Sequence, residues 1–216
     1  MNNRTPAGVR AHQSRSYAEL EAIAATIRSK LSCPPERPID GLRFFDEINS
    51  VEVEMHDGSS IPLETGIENL GDGREGLSRY NPDKPCLEIL LSPDTYDALE
   101  QGSPRATYCL VHEFSHALLH GDQLRQLAEL PQPSQIAFHR GAPQPHPMYL
   151  DTEWQANALA AAFLMPAQGL LELEHRFGAL TETLVTRQYH VSGKAARIRI
   201  NIYQERRATL QINRQG

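Results

Sequence analysis

The chain has 216 residues, 40% of them hydrophobic and 22% charged, and a net charge of −6 with histidines neutral. That length suits one compact domain with a small appendage, and the negative balance argues against a nucleic-acid binder driven by global charge. Cys33, Cys86 and Cys109 are too few and too irregularly spaced for a disulfide framework or a zinc ribbon; with no apolar run near a bilayer span and no leader-like N-terminus, a soluble, cytoplasmic chain with no membrane partner is expected.

Residues 1–15 are expected to form a flexible N-terminus. Ser16 followed by Glu19 makes a capping box, and Tyr17, Leu20, Ile23, Ala24, Ile27 and Leu31 recur at helical spacing, which predicts an amphipathic helix ending at Lys30 before CPPERP. IDGLRFFDEINS reads as a second short helix, and VEVEMH alternates like a half-buried strand before the turn residues DGSS. Residues 57–85, rich in Gly, Asp, Asn and Pro, predict loops and short sheet edges. CLEILLS at 86–92 is the best strand candidate.

PDTYDALEQGSP allows one or two helical turns. RATYCLVHEFSHALLHG then has a helix's apolar spacing, with a stop expected at Gly121. The prolines between Leu130 and Pro147 predict a surface loop. Asp151 or Thr152 should cap TEWQANALAAAFLM, a helix stopped by Pro166, and GLLELEHRF gives a further helix. TETLVTRQYHVSGKAARIRINIYQ closes the pattern as helix, turn, helix, with Ser192 as N-cap. Strands followed mostly by helices define an α+β chain.

The chemistry concentrates in LVHEFSHALLH, residues 110–120. Positions four apart on an α-helix lie one turn above each other, so His112 and His116 can aim both imidazoles at one ion, with Glu113 beside them. This is HExxH spacing: neutral imidazoles suit Zn²⁺, and the glutamate stands where it can take a proton from water. A core helix with hydrogen-bonded histidines is the plainer reading, but it leaves an ionisable glutamate in an apolar setting, where an unpaired charge is costly. A catalytic zinc usually has three protein ligands. His120 continues the stripe but lies too far along to converge well, Cys109 suits zinc chemically but reads as core packing, and Glu153 opens a separate helix with Asn157 one turn later.

RATYCLVHEFSHALLH followed by TEWQANALAAAFLMP resembles the ImmA/IrrE family of bacterial metallopeptidases, in which an HExxH helix precedes an ExxAN-type helix ending in Leu-Met-Pro. A looser likeness runs through PIDGLRFFDEINSVEVEM and CLEILLS and covers residues 16–205. The resemblance implies a zincin-like core at 16–178 with a small mixed or antiparallel sheet, then a helix-turn-helix-like subdomain at 179–216. It implies His112, His116 and Glu153 as metal ligands, Glu113 as general base and Asn157 as the support beneath them, a gluzincin arrangement. The metal would be Zn²⁺, with Mn²⁺ the alternative for mixed nitrogen and oxygen donors. The substrate implied is a helix-turn-helix transcriptional repressor, cut in a stress, phage or mobile-element response; His120 would serve as a structural residue at the helix end.

An extended peptide in such an enzyme pairs with an edge strand, and CLEILLS is the candidate. Tyr149, His139, Arg140 and His146, in the loop before the Glu153 helix, are candidates for a second electrophile, though loops carry such side chains routinely. The rival reading is a DNA-binding helix-turn-helix regulator with a structural metal site, its recognition helix bearing Lys194, Arg197 and Arg199. Val191, Ala195, Ile198 and Tyr203 on that segment favour a packing role instead.

Overall fold

The computed structural model describes residues 9–71, 73–129 and 146–210. In chain order the elements are α1 (Tyr17–Lys30), α2 (Gly41–Glu47) with a 3-10 turn at Ile48–Ser50, β1 (Glu52–Glu54), β2 (Ser60–Ile67), β3 (Gly76–Asn81), β4 (Cys86–Leu91), α3 (Pro93–Glu100) and α4 (Pro104–Ala128). A 3-10 turn at Met148–Leu150 then leads into α5 (Thr152–Leu164), α6 (Ala167–Phe177), α7 (Glu182–Tyr189) and α8 (Gly193–Arg206). The expected α+β class with a small mixed sheet is what forms. Two compact units divide the chain, one made of Met1–Arg15 and Gly41–Asn157, the other of Ser16–Asp40 and Ala158–Gly216.

The first unit carries the sheet, in the order β1-β2-β4-β3, with β2 parallel to β4 and the other pairs antiparallel. Residues 57–85, expected as loops and short edges, supply two full strands. Pro62 and Gly66 inside β2 weaken its strand signal, yet Leu63 pairs with Leu87 and Ile67 with Leu91 along an unbroken register. CLEILLS was expected at the sheet edge and lies in its interior, because an almost wholly apolar strand can be buried on both faces only between two neighbours. Cys86, Leu87, Ile89 and Leu91 are all fully buried. The edge on this side is β3.

Helix α4 starts at Ser103, whose side chain accepts from the Ala106 amide, with Pro104 in the first turn where its missing N–H is harmless. Its apolar face packs on the sheet and on α2, where Phe114 meets Phe44 edge to face at 5.1 Å. The expected stop at Gly121 does not occur. The helix kinks at His120 (φ −127°, ψ 20°) and continues to Ala128. Gly121 is there for clearance: a Cβ on it would come 3.0 Å from Leu87 Cδ1 and 3.4 Å from Met55 Sδ.

Of the N-terminus expected to be flexible, residues 9–15 are ordered against the segment before α5. Arg10 bridges Asp151, and the Ala11 amide donates to the Leu150 carbonyl at 2.7 Å. Among the described residues no single helix is long and apolar enough to cross a membrane.

In the second unit, the capping box of α1 is present, Ser16 and Glu19 satisfying each other's backbone amides. The buried face of α1 is not purely apolar: Leu20 and Ala24 share it with Glu21 and Arg28. Arg28 donates to the carbonyls of Phe163, Pro34 and Arg37 at 2.6, 2.6 and 2.5 Å. Glu21 pairs with Arg199 of α8, itself bonded to the Met165 carbonyl at 2.8 Å. Between α7 and α8 the chain turns through His190 in the left-handed region (φ 52°, ψ 43°), and Ser192 caps α8 as expected by accepting from the Ala195 amide.

Candidate metal centre

Helix α4 presents Tyr108, His112, His116 and His120 as a stripe four residues apart, with successive ring centroids 6.3, 4.6 and 5.6 Å from each other. The His112 and His116 Nε2 atoms face each other at 3.1 Å. From α5 the Glu153 carboxylate closes the triangle, Oε2 lying 3.4 Å from His112 Nε2 and Oε1 3.2 Å from His116 Nε2. Ligand bonds of about 2.0–2.2 Å around a tetrahedral zinc put neighbouring donor atoms roughly 3.3 Å apart. The distance between the imidazole nitrogens and each ring's contact with its own carboxylate oxygen are close to that spacing, and one donor atom from each of the three residues lies within 4.8 Å of the others. Among the described residues this is the one group of His, Cys, Asp and Glu able to hold a metal ion.

The start of α5 is held from several directions, which fixes Glu153 in its first turn. Asp151 Oδ1 accepts from the Trp154 amide at 2.7 Å, making it the cap, while its Oδ2 lies 3.1 Å from His146 Nε2. The Thr152 amide donates to the Val9 carbonyl at 3.1 Å. Gln155 Nε2 donates to the Gln13 and Tyr149 carbonyls at 2.7 and 2.8 Å.

Electrostatics follow from the geometry. Burial opposes ionisation of Glu153, but hydrogen bonds from His112 and His116 and the charge on both rings carry its carboxyl far below the usual range. Burial likewise disfavours a charged His112, yet the hydrogen bond to Glu153 and the charges of Glu113 and Glu153 outweigh it and raise its pKa. A cluster that draws its carboxylate toward the anion and its imidazole toward the cation is one in which a divalent ion can substitute for the shared proton.

Glu113 sits beside this triangle, only 6% exposed. Ser78 of β3 donates to its Oε2 at 2.9 Å. Strand and helix come this close because position 76 is glycine: a Cβ there would lie 2.8 Å from both Glu113 Cγ and Cys109 Sγ. Cys109 thus faces β3, and burial with the charges of Glu113 and Glu75 pushes its thiol up to about 12. It is not among the residues whose donor atoms converge on the triangle.

His120 is not at a helix end as the resemblance implied, but at the kink. Burial and the neighbouring His116 push its pKa down to about 3, against a hydrogen bond with the Thr152 backbone, so it is neutral. Asn157 reaches neither histidine nor either carboxylate. Its Nδ2 donates to the Glu153 carbonyl at 2.7 Å, and its Oδ1 accepts from Tyr108 Oη at 2.6 Å. Of the candidate electrophiles, Tyr149 is 51% exposed and His146 is engaged with Asp151; His139 and Arg140 lie outside the described residues. Sequence reasoning missed Ser78, Gly76 and Tyr108. The first two belong to a segment read as loop, and the third reads as one more apolar helix residue.

Two imidazoles from α4 and a carboxylate from α5 meet here, with the buried Glu113 close by and the edge strand β3 beside it, an arrangement like that of zincin-class metallopeptidases. Residues 100–201 match the family model described as the IrrE N-terminal-like domain, Peptidase_M78. The matched region, 102 of the 216 residues, is a metallo-endopeptidase domain of the ImmA/IrrE type. No curated protein matches it at a significant level.

Proposed function

We propose that this chain hydrolyses a peptide bond in a protein substrate, with His112, His116 and Glu153 holding Zn²⁺ and Glu113 acting as general base. The observation that carries the reading is the convergence of two imidazole nitrogens and a carboxylate from two helices, one donor atom from each residue lying within 4.8 Å of the others. Mixed nitrogen and oxygen donors also accept Mn²⁺. A divalent cation bound there supplies Lewis acidity that polarises the scissile carbonyl and acidifies water. Glu113 takes the proton released by the attacking water on its carboxylate and hands it to the departing amine. Ser78 holds that carboxylate in one rotamer, and the apolar faces of α4 and the sheet keep bulk water away from it.

The extended substrate pairs with β3, the edge strand among the described residues, which runs past Glu113, and not with β4. By the family resemblance the substrate is a helix-turn-helix transcriptional repressor cut in an exposed linker in the cytoplasm, releasing stress, phage or mobile-element genes. The experiment is to incubate the purified chain and zinc with a repressor encoded beside it. Cleavage that is lost on chelation, restored by zinc and abolished in Glu113→Gln supports the reading. Cleavage that survives Glu113→Gln refutes the assignment of the base.

A second reading, DNA binding through the helix-turn-helix, is favoured by the left-handed turn at His190 and by exposed Lys194 and Arg197 on α8. It loses Arg199, expected on the recognition face but only 1% exposed and paired with Glu21. We therefore assign residues 179–216 a supporting role. Duplex binding that falls steeply with salt and persists in Glu113→Gln would reverse that choice.

A further inference from the structure

A histidine that ligates a metal ordinarily donates its second ring nitrogen to a carboxylate, a carbonyl or water, and that bond fixes the ring. His112 departs from this pattern: its Nδ1 is buried, and no group among the described residues hydrogen-bonds to it. The ring of Tyr108, one turn earlier on α4, instead lies nearly parallel to it, 19° between planes and 6.3 Å between centroids, an offset stack. Tyr108 is anchored in turn. Its Oη donates at 2.6 Å to Asn157 Oδ1, and Asn157 Nδ2 donates at 2.7 Å to the backbone carbonyl of Glu153.

We infer that Tyr108 and Asn157 form a clamp that sets the distance between His112 and Glu153 for the metal, the stacked phenol bracing the His112 ring. The inference rests on the metal-centre reading and deepens it by naming two positioning residues. One end of the clamp orients an imidazole of α4. The other grips the main chain of the residue that supplies the carboxylate from α5. A rigid link between the two helices at this point narrows the range of His112–Glu153 separations open to the metal-free protein, so less ordering remains to be done when the ion binds.

The test is metal affinity, which needs no substrate. Zinc dissociation constants are measured by competition with a chromophoric chelator for the full chain and for Tyr108→Leu, Tyr108→Phe and Asn157→Ala, and cobalt spectra are recorded for each. Tyr108→Leu and Asn157→Ala should weaken binding about 10- to 100-fold, the range found when groups supporting a ligand are removed. Tyr108→Phe keeps the stack and loses only the anchor, so it should fall between wild type and Tyr108→Leu and shift the cobalt ligand-field bands. If Tyr108→Leu does not fold, Tyr108→Phe and Asn157→Ala decide. Affinities within threefold of wild type together with unchanged cobalt bands overturn the clamp and leave the metal centre standing. A wild-type chain that takes up neither zinc nor cobalt overturns the metal centre and the clamp with it.

Discussion

The contact between β3 and α4 at position 76 offers a way to disturb Glu113 without touching a metal donor. In Gly76→Ala, the new methyl group would lie 2.8 Å from Glu113 Cγ and 2.8 Å from Cys109 Sγ. Carbon atoms in comfortable contact are about 3.5–4.0 Å apart, so roughly 0.7–1.2 Å must be recovered by lifting the strand or turning the glutamate out of its rotamer. Overpacking of this kind costs about 1–3 kcal/mol. Ser78 lies two residues further along the same strand and holds Glu113 Oε2, so lifting the strand also stretches that bond. A general base misplaced by about 1 Å should lower the cleavage rate on the order of 100-fold. Zinc affinity should stay within about threefold of wild type, since none of His112, His116 and Glu153 is displaced, whereas loss of the clamp would weaken it about 10-fold or more. Urea denaturation, chelator competition and cleavage of a repressor substrate give the three readouts. Adding Cys109→Ala removes one of the two obstacles and should recover part of the stability but little of the rate. A Gly76→Ala chain as stable and as active as wild type would refute the argument.

Other consequences can be checked alongside. Arg199→Leu leaves Glu21 buried without its cation and should destabilise the fold by about 3–5 kcal/mol in denaturant titrations, while Glu21→Leu with Arg199→Leu should restore much of the loss; a single variant no worse than the double would contradict this. Free zinc at about 100 times its dissociation constant should stabilise the chain by about 2.7 kcal/mol, seen as a higher Tm that chelator reverses and that His116→Ala abolishes. Asp57 accepts from Ser59 and Arg125, and those contacts hold it at about 2 against an ordinary value of 3.8. Its folded pKa is depressed, so its contribution is present above the ordinary value and lost as pH falls through the folded one. The stability gap between wild type and Asp57→Asn should therefore close between about pH 4 and pH 2, and a gap independent of pH would exclude that origin.

The parts of the centre readable in the sequence are those that lie within one turn of a single helix. His112, Glu113 and His116 follow from the geometry of i and i+4 alone. Glu153 lies on another helix, and only the family resemblance singled it out from two other candidates. Ser78 could not be found in this way: it reaches Glu113 from 35 residues away, on an edge strand whose glycine, serine and asparagine look like loop. Sheet order is equally non-local, although the almost wholly apolar run of β4, broken only by Glu88, carried a usable hint that it was an interior strand. Arg199 reads as a solvated charge because its partner Glu21 lies 178 positions away. Asn157 was linked to a ligand histidine or Glu153, and it reaches the Glu153 backbone, but nothing in the spacing says that a tyrosine stands between it and the histidine.

The ordering of residues 9–15 against the entrance to α5 ties the earliest part of the chain to the helix that supplies the carboxylate. Gln155 and Gln13 are 142 positions apart, yet they share a hydrogen bond beside Glu153. Closing a loop of that length is a late and entropically costly event in folding. Two histidines can stand side by side as soon as one helix winds up, whereas the helix start that carries Glu153 is braced in part by residues 9–15, so on the proposed metal reading a chain trimmed of those residues should bind zinc more weakly.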